Sequence, residues 1–424
     1  MLTVDAGRPG GPDSWRRLGR RGAFWASASV LALALWSSGA PSVLYPIYAE
    51  QWALSPAVVT AVFATYQLAL VVVLPLLGSL SDQIGRRLVM IWGVALIAAS
   101  AVIFALAPNV TFLFVGRVLQ GAGTGLAIGA ASASLVQNNI SGNPRFANSL
   151  ATIATSTGLT LALVLSGAFA QFAPLPLFWS YIVLLVLAVA AVAALAATPD
   201  DRPADARRWR PQALRLAPGL RRTFTIATLS VCLAYSVGAL FLSLGAYMIR
   251  QFTQTDDTLV IGALLGCSSA TIGVTALLLT RVPAHTCVWV GVSLTVVSLA
   301  LMAAVATSGS IVLFLAWCLV GGVAYSFAFT GGLGLINRAA AEHHRGAALS
   351  LLYLFAYLLQ AATAIGAGAL ATANGLDVAV SIAAAILTGL CVAVLALMAY
   401  DARTTRSDSP EHRSRVPAGR TAPP

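Results

Sequence analysis

Long apolar stretches alternate with short polar segments along most of the chain. The stretches are about 20 residues or longer, which is the length that an α-helix needs to cross the hydrocarbon core of a bilayer. Membrane β-strands would instead show apolar and polar residues in alternation over segments of roughly ten residues. The pattern therefore predicts an all-α membrane protein. Its 12 predicted transmembrane helices are 23–48, 56–77, 88–107, 110–134, 147–172, 177–198, 223–249, 258–280, 287–306, 309–334, 347–371 and 378–400.

The composition excludes two other classes of protein. Hydrophobic residues make up 58% of the 424 residues and charged residues only 9%, whereas a soluble domain carries about a quarter charged residues. An ordinary soluble enzyme is therefore excluded. An intrinsically disordered chain is excluded as well, because such chains are poor in large apolar residues.

The distribution of arginine predicts the orientation in the membrane. All 25 basic residues are Arg, and 23 of them lie in segments on the same side as the N-terminus. Arg250 lies on the opposite side and Arg117 within a span. Because Lys and Arg accumulate on the cytoplasmic side, both termini are predicted to be cytoplasmic and the protein to lie in the cell membrane. The net charge of +11 reflects these topology signals, and no nucleic-acid partner is expected.

Weak internal repetition at a spacing of about 200 residues predicts two related halves. The double arginine at 20–21 returns at 221–222, and Arg145 returns as Arg345. Because six spans is an even number, both halves would enter the membrane from the same side. The predicted organisation is a cytoplasmic N-terminal tail 1–22, an N-terminal six-helix bundle 23–198, a basic cytoplasmic linker 199–222, a C-terminal six-helix bundle 223–400 and a cytoplasmic C-terminal tail 401–424.

The strongest motif lies between the second and third spans and reads Gly-Ser-Leu-Ser-Asp-Gln-Ile-Gly-Arg-Arg at 78–87. Glycine permits close approach of helices and tight turns. The carboxylate of Asp82 could accept hydrogen bonds from amides at a helix N-terminus or pair with Arg86. A plain cytoplasmic turn is the alternative interpretation. The predicted conformational latch consists of Gly78, Asp82, Gly85, Arg86 and Arg87.

This segment resembles the signature loop of the major facilitator superfamily, G-x-x-x-D-x-x-G-R-R, at the place where that family has it. Gln83 departs from the pattern, because the family usually has Arg or Lys there. The resemblance implies two pseudo-symmetric six-helix bundles and transport of a small molecule by alternating access. It also favours a bacterial, monomeric protein similar to drug and metabolite exporters.

Arg117 is a charged residue inside the fourth span. An arginine at the centre of a bilayer costs about 2.5–3.5 kcal/mol on insertion scales, so the side chain should face the protein interior with a partner. Gln120 lies three residues further on and shares its helix face. The segment resembles an R-x-x-Q-G pattern of the family, which implies a coupling or substrate role for Arg117, Gln120 and Gly121. An arginine that binds backbone carbonyls for structural reasons is the alternative.

The resemblance also implies which helices line a central pathway: spans 1, 4, 7 and 10, with contributions from 2, 5, 8 and 11. Polar and aromatic residues on these spans would form an aromatic chamber with one cation. Such a chamber suits amphipathic or weakly anionic molecules, and cation–π contacts with a cationic cargo are an alternative. For each residue alone, ordinary helix packing is an equally good explanation. The candidates are Trp36, Ser38, Tyr66, Gln67, Tyr235, Tyr325, Phe329, Tyr353, Tyr357 and Gln360.

The direction of transport is left open by the acidic residues. No Asp or Glu lies in the interior of a predicted span, so proton coupling would depend on Glu50, Asp82 or Asp377 near span ends. The fifth span also lacks the Gly-Pro motif that exporters of the family often carry. Proton-coupled efflux is the first hypothesis, and import or facilitated diffusion of a metabolite is the alternative. A receptor or scaffold is a third and weaker hypothesis, because no large segment lies outside the spans.

Two prolines predict an irregular end of the first span. Pro41 and Pro46 each remove a backbone donor, so a kink or a break is expected there. Tyr45 and Tyr48 are expected at the membrane–water interface, where tyrosine is enriched.

Enzymatic chemistry is not expected. The predicted spans contain no His, Asp or Glu that could form a nucleophile–base pair or a metal cluster, so no catalytic residue, metal or cofactor is predicted. No CxxC pair is present, and the cysteines are interpreted as small buried hydrophobic residues. They are Cys232, Cys267, Cys287, Cys318 and Cys391.

Overall fold

The computed structural model describes residues 18–78, 80–201, 216 and 219–407. Most of the predicted tails and of the predicted linker lie outside these residues. Within them the regular structure is entirely helical, with a 3₁₀ turn at Leu279–Arg281. The α-helices are α1 (Arg20–Trp52), α2 (Pro56–Leu77), α3 (Ser81–Ile84), α4 (Arg86–Ala105), α5 (Val110–Gln137), α6 (Pro144–Phe172), α7 (Pro176–Ala196), α8 (Arg221–Thr253), α9 (Thr258–Leu278), α10 (Ala284–Ser308), α11 (Ile311–Ala339), α12 (Glu342–Asn374) and α13 (Leu376–Ser407).

Twelve of these helices are long and apolar enough to cross a membrane. The predicted fold class and number of spans are therefore confirmed. The remaining helix, α3, has four residues and lies between α2 and α4. Both ends of α1 extend about one turn beyond the predicted 23–48, and α13 continues to Ser407, past the predicted end at 400.

Short polar turns with capping side chains separate the helices. A side-chain oxygen just before α2, α5, α6, α9 and α11 accepts a hydrogen bond from an amide of the first turn, which satisfies a donor that has no partner within the helix. These capping residues are Ser55, Asn109, Asn143, Asp257 and Ser310. The turns are so short that consecutive membrane helices run antiparallel.

Because successive membrane helices run in opposite directions, their ends lie on two opposite faces of the molecule. One of them, which we call the linker face, carries the start of α1, the motif 78–87 and the end of α7. Contacts there join distant segments: the amide of Leu18 donates to the carbonyl of Ala197 over 2.8 Å, and Arg222 pairs with Asp401 at 2.7 Å. The opposite face, which we call the distal face, carries the turns at 53–55, 106–109, 173–175, 254–257 and 309–310.

The helices pack as two halves with the same internal arrangement. In the N-terminal half α1 packs against α6, α4 against α5 and α7, and α2 against α5. In the C-terminal half α8 packs against α12, α10 against α11 and α13, and α9 against α11. Each of these pairs occupies the corresponding place in the other half. The two halves are therefore pseudo-symmetric, and each has its own buried hydrophobic core.

The halves meet along two equivalent helix pairs, α2 with α12 and α6 with α9, and through α1 with α8. Near the distal face the amide of Ala57 donates to the hydroxyl oxygen of Thr372 over 2.9 Å, and Thr258 donates to Gln171 over 2.9–3.0 Å. At mid-depth the Ser156 hydroxyl donates to the carbonyl of Ser269 over 2.7 Å. Among the described residues, the hydrogen bonds between halves lie at the distal face or at mid-depth. The molecule is therefore closed on its distal side.

The predicted break in the first span is wrong. α1 continues as one α-helix through Pro41 and Pro46 to Trp52. The prediction for the tyrosines is wrong as well, because the side chains of Tyr45 and Tyr48 are only 1% exposed. This segment of α1 packs against α5 and α8, and these neighbours stabilise a helix that its prolines weaken.

Candidate functional site

Arg117 of α5 is completely buried within the N-terminal half. One terminal nitrogen, Nη1, donates to the carbonyl of Ser38 over 3.2 Å and to Oε1 of Gln120 over 3.1 Å. The other, Nη2, donates to the hydroxyl oxygen of Tyr45. The guanidinium thus bridges α5 and α1. Its partners combine one backbone carbonyl with two side chains, so both interpretations made from the sequence have a structural counterpart.

Aromatic rings from α1 and α2 surround the same guanidinium. Its central carbon lies 5.5 Å from the ring centroid of Tyr45, 6.0 Å from that of Phe63 and 5.7 Å from that of Tyr66. Desolvated cation–π contacts stabilise a cation by about 2 kcal/mol each. These rings therefore offset part of the cost of burying the charge. Phe63 was not among the candidates, because a phenylalanine in an apolar span gives no sign of a charged neighbour.

Gly121 sets the distance between α5 and α2 beside Arg117. A Cβ atom at this position would lie 2.5 Å from the carbonyl oxygen of Tyr66, which is shorter than any ordinary van der Waals contact. Glycine is therefore required for α2 to pack this closely and to hold the Tyr66 ring against the guanidinium.

A second group of predicted residues forms one aromatic cluster in the C-terminal half. The ring of Tyr235 lies 6.1 Å from Tyr325, 5.9 Å from Phe329 and 5.1 Å from Tyr357, measured between centroids. Tyr353 joins this group through Tyr357, with 6.3 Å between the two ring centroids. These five residues come from α8, α11 and α12, and we call them the aromatic cluster. Tyr235 is buried and the other four are half-buried.

Tyr66 connects the two groups. Its ring contacts Arg117 in the N-terminal half, and its helix α2 packs against α12, which carries Tyr353 and Tyr357. The Arg117 site and the aromatic cluster therefore lie on helices that meet at the contact between the halves.

The remaining candidates are buried on the same helices; Ser38 touches the Arg117 site, and the other three join neither group. Ser38 contributes its carbonyl rather than its hydroxyl to Arg117. Trp36, Gln67 and Gln360 are 2–8% exposed, and each has a buried polar atom without a hydrogen-bond partner in the described part of the chain. Such atoms are suited to bind a polar group that enters between the halves.

The motif at 78–87 forms a compact network on the linker face. Asp82 lies 3.9 Å from Arg86, one turn away, and its side chain is 64% exposed. Arg86 also donates to the carbonyl of Ala133 over 3.1 Å and to the side chain of Gln137, both on α5. Gly78 ends α2, and its amide donates to the carbonyl of Leu74 over 3.0 Å.

Gly85 and Arg87 fix the start of α4. Gly85 joins α3 to α4 with φ of 95°, a conformation that residues with a Cβ atom rarely adopt. Arg87 donates to the last carbonyls of α7, over 3.0 Å to Leu195 and 2.7 Å to Ala196. A cation at a helix C-terminus is stabilised by the helix dipole.

Asp201 accepts the amide hydrogen bonds that were one of the two roles expected for Asp82. Its carboxylate accepts from the amides of Arg86 and Arg87 over 3.1 Å each. Asp82 instead pairs with Arg86, which was the other expectation. The acidic pair at 200–201, at the start of a basic segment, was the available sequence signal for this cap.

An ion-pair group closes the distal face between α1 and α8. Arg250 lies 2.6 Å from Glu50 and 3.1 Å from Asp256, and the Tyr247 hydroxyl donates to the carbonyl of Tyr45 over 3.3 Å. We call Tyr45, Glu50, Tyr247, Arg250 and Asp256 the distal gate. A pocket of about 470 Å³ opens beside it. The sequence placed Glu50 and Arg250 on the same side of the membrane but gave no sign that they pair.

Twelve membrane helices in two pseudo-symmetric halves, with buried polar and aromatic groups between them, define a multi-pass membrane transporter rather than an enzyme. Residues 26–299 and 226–422 match the model of the Major Facilitator Superfamily. The chain belongs to this family.

Similarity to curated relatives is limited to short segments. The chain is 37% identical over 67 residues to a triacylglyceride transporter of Mycolicibacterium smegmatis, which covers 16% of this chain and 12% of the relative. It is 33% identical over 108 residues to a lincomycin resistance protein of Streptomyces lincolnensis, covering 26% and 21%. It is 36% identical over 88 residues to the inner membrane transport protein YajR of Escherichia coli, covering 21% and 18%. The matches thus span about a fifth or less of each relative.

Solved structures share the fold over nearly the whole chain. A bacterial homologue of the human lysosomal transporter Spinster, in an inward-facing and unoccupied conformation, superposes with a TM-score of 0.73 at 14% identity and covers 95% of this chain and 100% of that one. The nucleoside transporter NupG gives a TM-score of 0.70 at 15% identity, with coverage of 90% and 99%. At these identities the likeness establishes the fold alone.

Proposed function

We propose that this protein moves a small organic molecule across the cell membrane by alternating access, as a proton-coupled exporter of drug-like or secondary-metabolite compounds. The observation that carries the proposal is the position of the Arg117 site and the aromatic cluster. They lie on helices that meet at the contact between two pseudo-symmetric halves, and the described hydrogen bonds between these halves lie at mid-depth or at the distal face. A cargo bound there would contact both halves, so their relative movement could expose it to either face.

The orientation follows from the charges. We propose that the linker face is cytoplasmic, with 1–22 and 401–424 as cytoplasmic tails and 199–222 as the linker between the bundles 23–198 and 223–400. The concentration of arginine on this face supports the assignment. The distal face is then extracellular and the described conformation is inward-facing, the state named for the Spinster homologue.

The central site suggests the chemistry of the cargo. The aromatic cluster offers ring faces and tyrosine hydroxyls, and the adjacent buried atoms of Trp36, Gln67 and Gln360 offer a donor and acceptors. Arg117 supplies a cation that aromatic rings already enclose. Amphipathic molecules with an aromatic ring and several polar groups fit this combination. The drug-resistance function printed in the name of the Streptomyces relative agrees with this class.

Two sets of residues would drive the cycle. We assign Arg117, Gln120 and Gly121 to coupling between cargo and conformation, because they hold α1, α2 and α5 together at the centre. We assign Gly78, Asp82, Gly85, Arg86 and Arg87 to a latch on the linker face, because they join α2, α4, α5 and α7.

A substitution in the aromatic cluster tests the cargo site. Tyr357→Ala removes a ring that faces the centre, whereas Phe355→Ala removes a 48% exposed ring from the same helix. Stacking between aromatic rings contributes about 0.5–1.5 kcal/mol. Tyr357→Ala should therefore lower the concentration of a transported compound that inhibits growth, by up to about tenfold. The measurement is growth inhibition of an efflux-deficient bacterium by a compound panel that includes lincomycin. Equal protection by both variants would argue against a cargo site at the cluster.

Import or facilitated diffusion without protons is the second candidate function. It is favoured by the position of the acidic residues, since Glu50, Asp82 and Asp377 all lie at helix ends rather than inside the described spans. Purified protein in liposomes separates the two hypotheses. Flux of a panel compound that follows an imposed pH gradient and stops with an uncoupler supports antiport. Flux that ignores both supports facilitation.

A further inference from the structure

We infer that Tyr45 is a positioning residue that couples the buried Arg117 to closure of the distal face. The inference rests on the alternating access proposed above. Tyr45 uses two different atoms: its side-chain hydroxyl accepts from Arg117 of the same half, and its backbone carbonyl accepts from Tyr247 of the other half. Among the described residues it is the one that bonds both to Arg117 and to the C-terminal half.

The contact with the C-terminal half does not end at Tyr247. Arg250 lies three residues further along α8, on the same helix face, and pairs with Glu50, which lies five residues after Tyr45 on α1. The segment 45–50 of α1 is therefore attached twice to the segment 247–250 of α8. Opening of the distal side requires both attachments to break.

The attached segment of α1 also lies in the part of this helix that two prolines weaken. Pro46 lies directly after Tyr45, and Pro41 lies one turn earlier. Each proline removes one hydrogen bond of the helix ladder. The position of the segment therefore depends on contacts from outside the helix. Among these contacts are the hydrogen bond from Arg117 and the two bonds to α8.

This arrangement gives Arg117 an effect at a distance. While its Nη2 binds the Tyr45 hydroxyl, the side chain holds the segment 45–50 in register with Tyr247 and Arg250. A cargo group that takes this nitrogen from Tyr45 would release the segment. Occupancy of the central site would then loosen the distal gate.

Tyr45→Phe tests the inference because it removes the hydroxyl and keeps the buried ring. A hydrogen bond to a charged group is stronger than one between neutral groups, so the ratio of distal-open to distal-closed molecules should rise by tenfold or more. Ser100→Ala is the matched control, since it also removes a buried hydroxyl of the N-terminal half, but one that donates only to the carbonyl of Ile97 in its own helix.

The ratio can be measured without any cargo. Spin labels at Pro108→Cys and Thr307→Cys, two exposed positions on the distal side of opposite halves, would report the distance between the halves in a background without native cysteines. A new population at longer distance in Tyr45→Phe, absent from the parent and from Ser100→Ala, supports the inference. Identical distributions in all three proteins would overturn it.

A double-mutant cycle adds a second and independent criterion. If Tyr45 acts through the gate, Tyr247→Phe and Tyr45→Phe should each open the distal side, and their combined effect should be smaller than the product of the single effects. If the effect of the double variant on the ratio of open to closed molecules equals the product of the two single effects, the two bonds act independently and the inference is contradicted. Because these measurements use no cargo, they can succeed even if the proposed export fails.

Exchange of the charges in the ion pair distinguishes a loss of pairing from a loss of folding, because only a loss of pairing can be rescued by a second substitution. Glu50→Arg and Arg250→Glu each place like charges together and should open the distal side. Their combination, made with Asp256→Asn so that no second acid lies beside position 250, should restore closure. Failure of the combined variant to restore the parent distribution would contradict the role given to this pair.

Discussion

Arg117 is the residue on which the central site depends, and its substitution separates transport from folding. Arg117→Ala removes three hydrogen bonds and three ring contacts from the interface of α1, α2 and α5. We expect flux to fall by tenfold or more while the protein still inserts, because the apolar spans themselves are unchanged.

Arg117→Lys is the informative companion variant. Lysine keeps the charge but lacks the planar fork that serves two nitrogen positions at once. It should therefore insert and fold like the parent but transport poorly. Flux assays beside measurements of membrane insertion check both variants, and parent-level flux in Arg117→Ala would remove the coupling role.

At the scale of residues, the sequence could predict Arg117 and its neighbour Gln120, because a charge in an apolar span demands an interior partner. It could not predict Tyr45 as that partner. A tyrosine beside prolines near a span end is typical of the membrane interface, and nothing in the local pattern shows that α5 lies against it.

At the scale of elements, the cap of α4 allows a comparison of two aspartates. Asp201 accepts two amide hydrogen bonds at a helix N-terminus, whereas Asp82 makes an exposed pair at 3.9 Å. Loss of an N-cap costs about 1 kcal/mol, and an exposed ion pair contributes about 0–1 kcal/mol. Asp201→Ala, which removes the acceptor altogether, should therefore lower thermal stability in detergent more than Asp82→Ala does.

For the balance between the two conformations of the transporter we expect the reverse order, with the larger effect at Asp82. If Asp82 belongs to the proposed latch, Asp82→Asn should change the cysteine accessibility of the two membrane faces with little loss of stability. Unchanged accessibility on both faces would leave Asp82 as an ordinary turn residue.

Helix positions were largely predictable, since each apolar stretch matches one membrane helix. The continuity of α1 through Pro41 and Pro46 could not be predicted from the sequence. Proline lowers the stability of an isolated helix, but the neighbouring helices supply packing and hydrogen bonds that local sequence does not contain.

At the scale of the whole molecule, the proposed orientation makes a direct prediction. Reporter fusions after residue 86 and after residue 201 should behave as cytoplasmic, and a fusion at residue 254 as extracellular, because arginine is concentrated on the linker face. A fusion at residue 86 that reads as extracellular would reverse the orientation and with it the inward-facing assignment.

The repeat at about 200 residues predicted that the chain forms two related halves. The paired helix contacts confirm that the two halves are pseudo-symmetric. The gate between them was out of reach of the sequence. Glu50 and Arg250 are 200 positions apart, and their contact depends on the closed state of the distal side rather than on either half alone.

The serine pair at the middle of the interface has a mechanical consequence. Ser156 and Ser269 exchange hydrogen bonds of 2.7 and 3.4 Å near the centres of α6 and α9. When two rigid bodies tilt against each other, atoms close to the axis of tilt are displaced least and those at the ends are displaced most. This pair could therefore serve as a fulcrum, remaining bonded while the ends of the same helices swing apart.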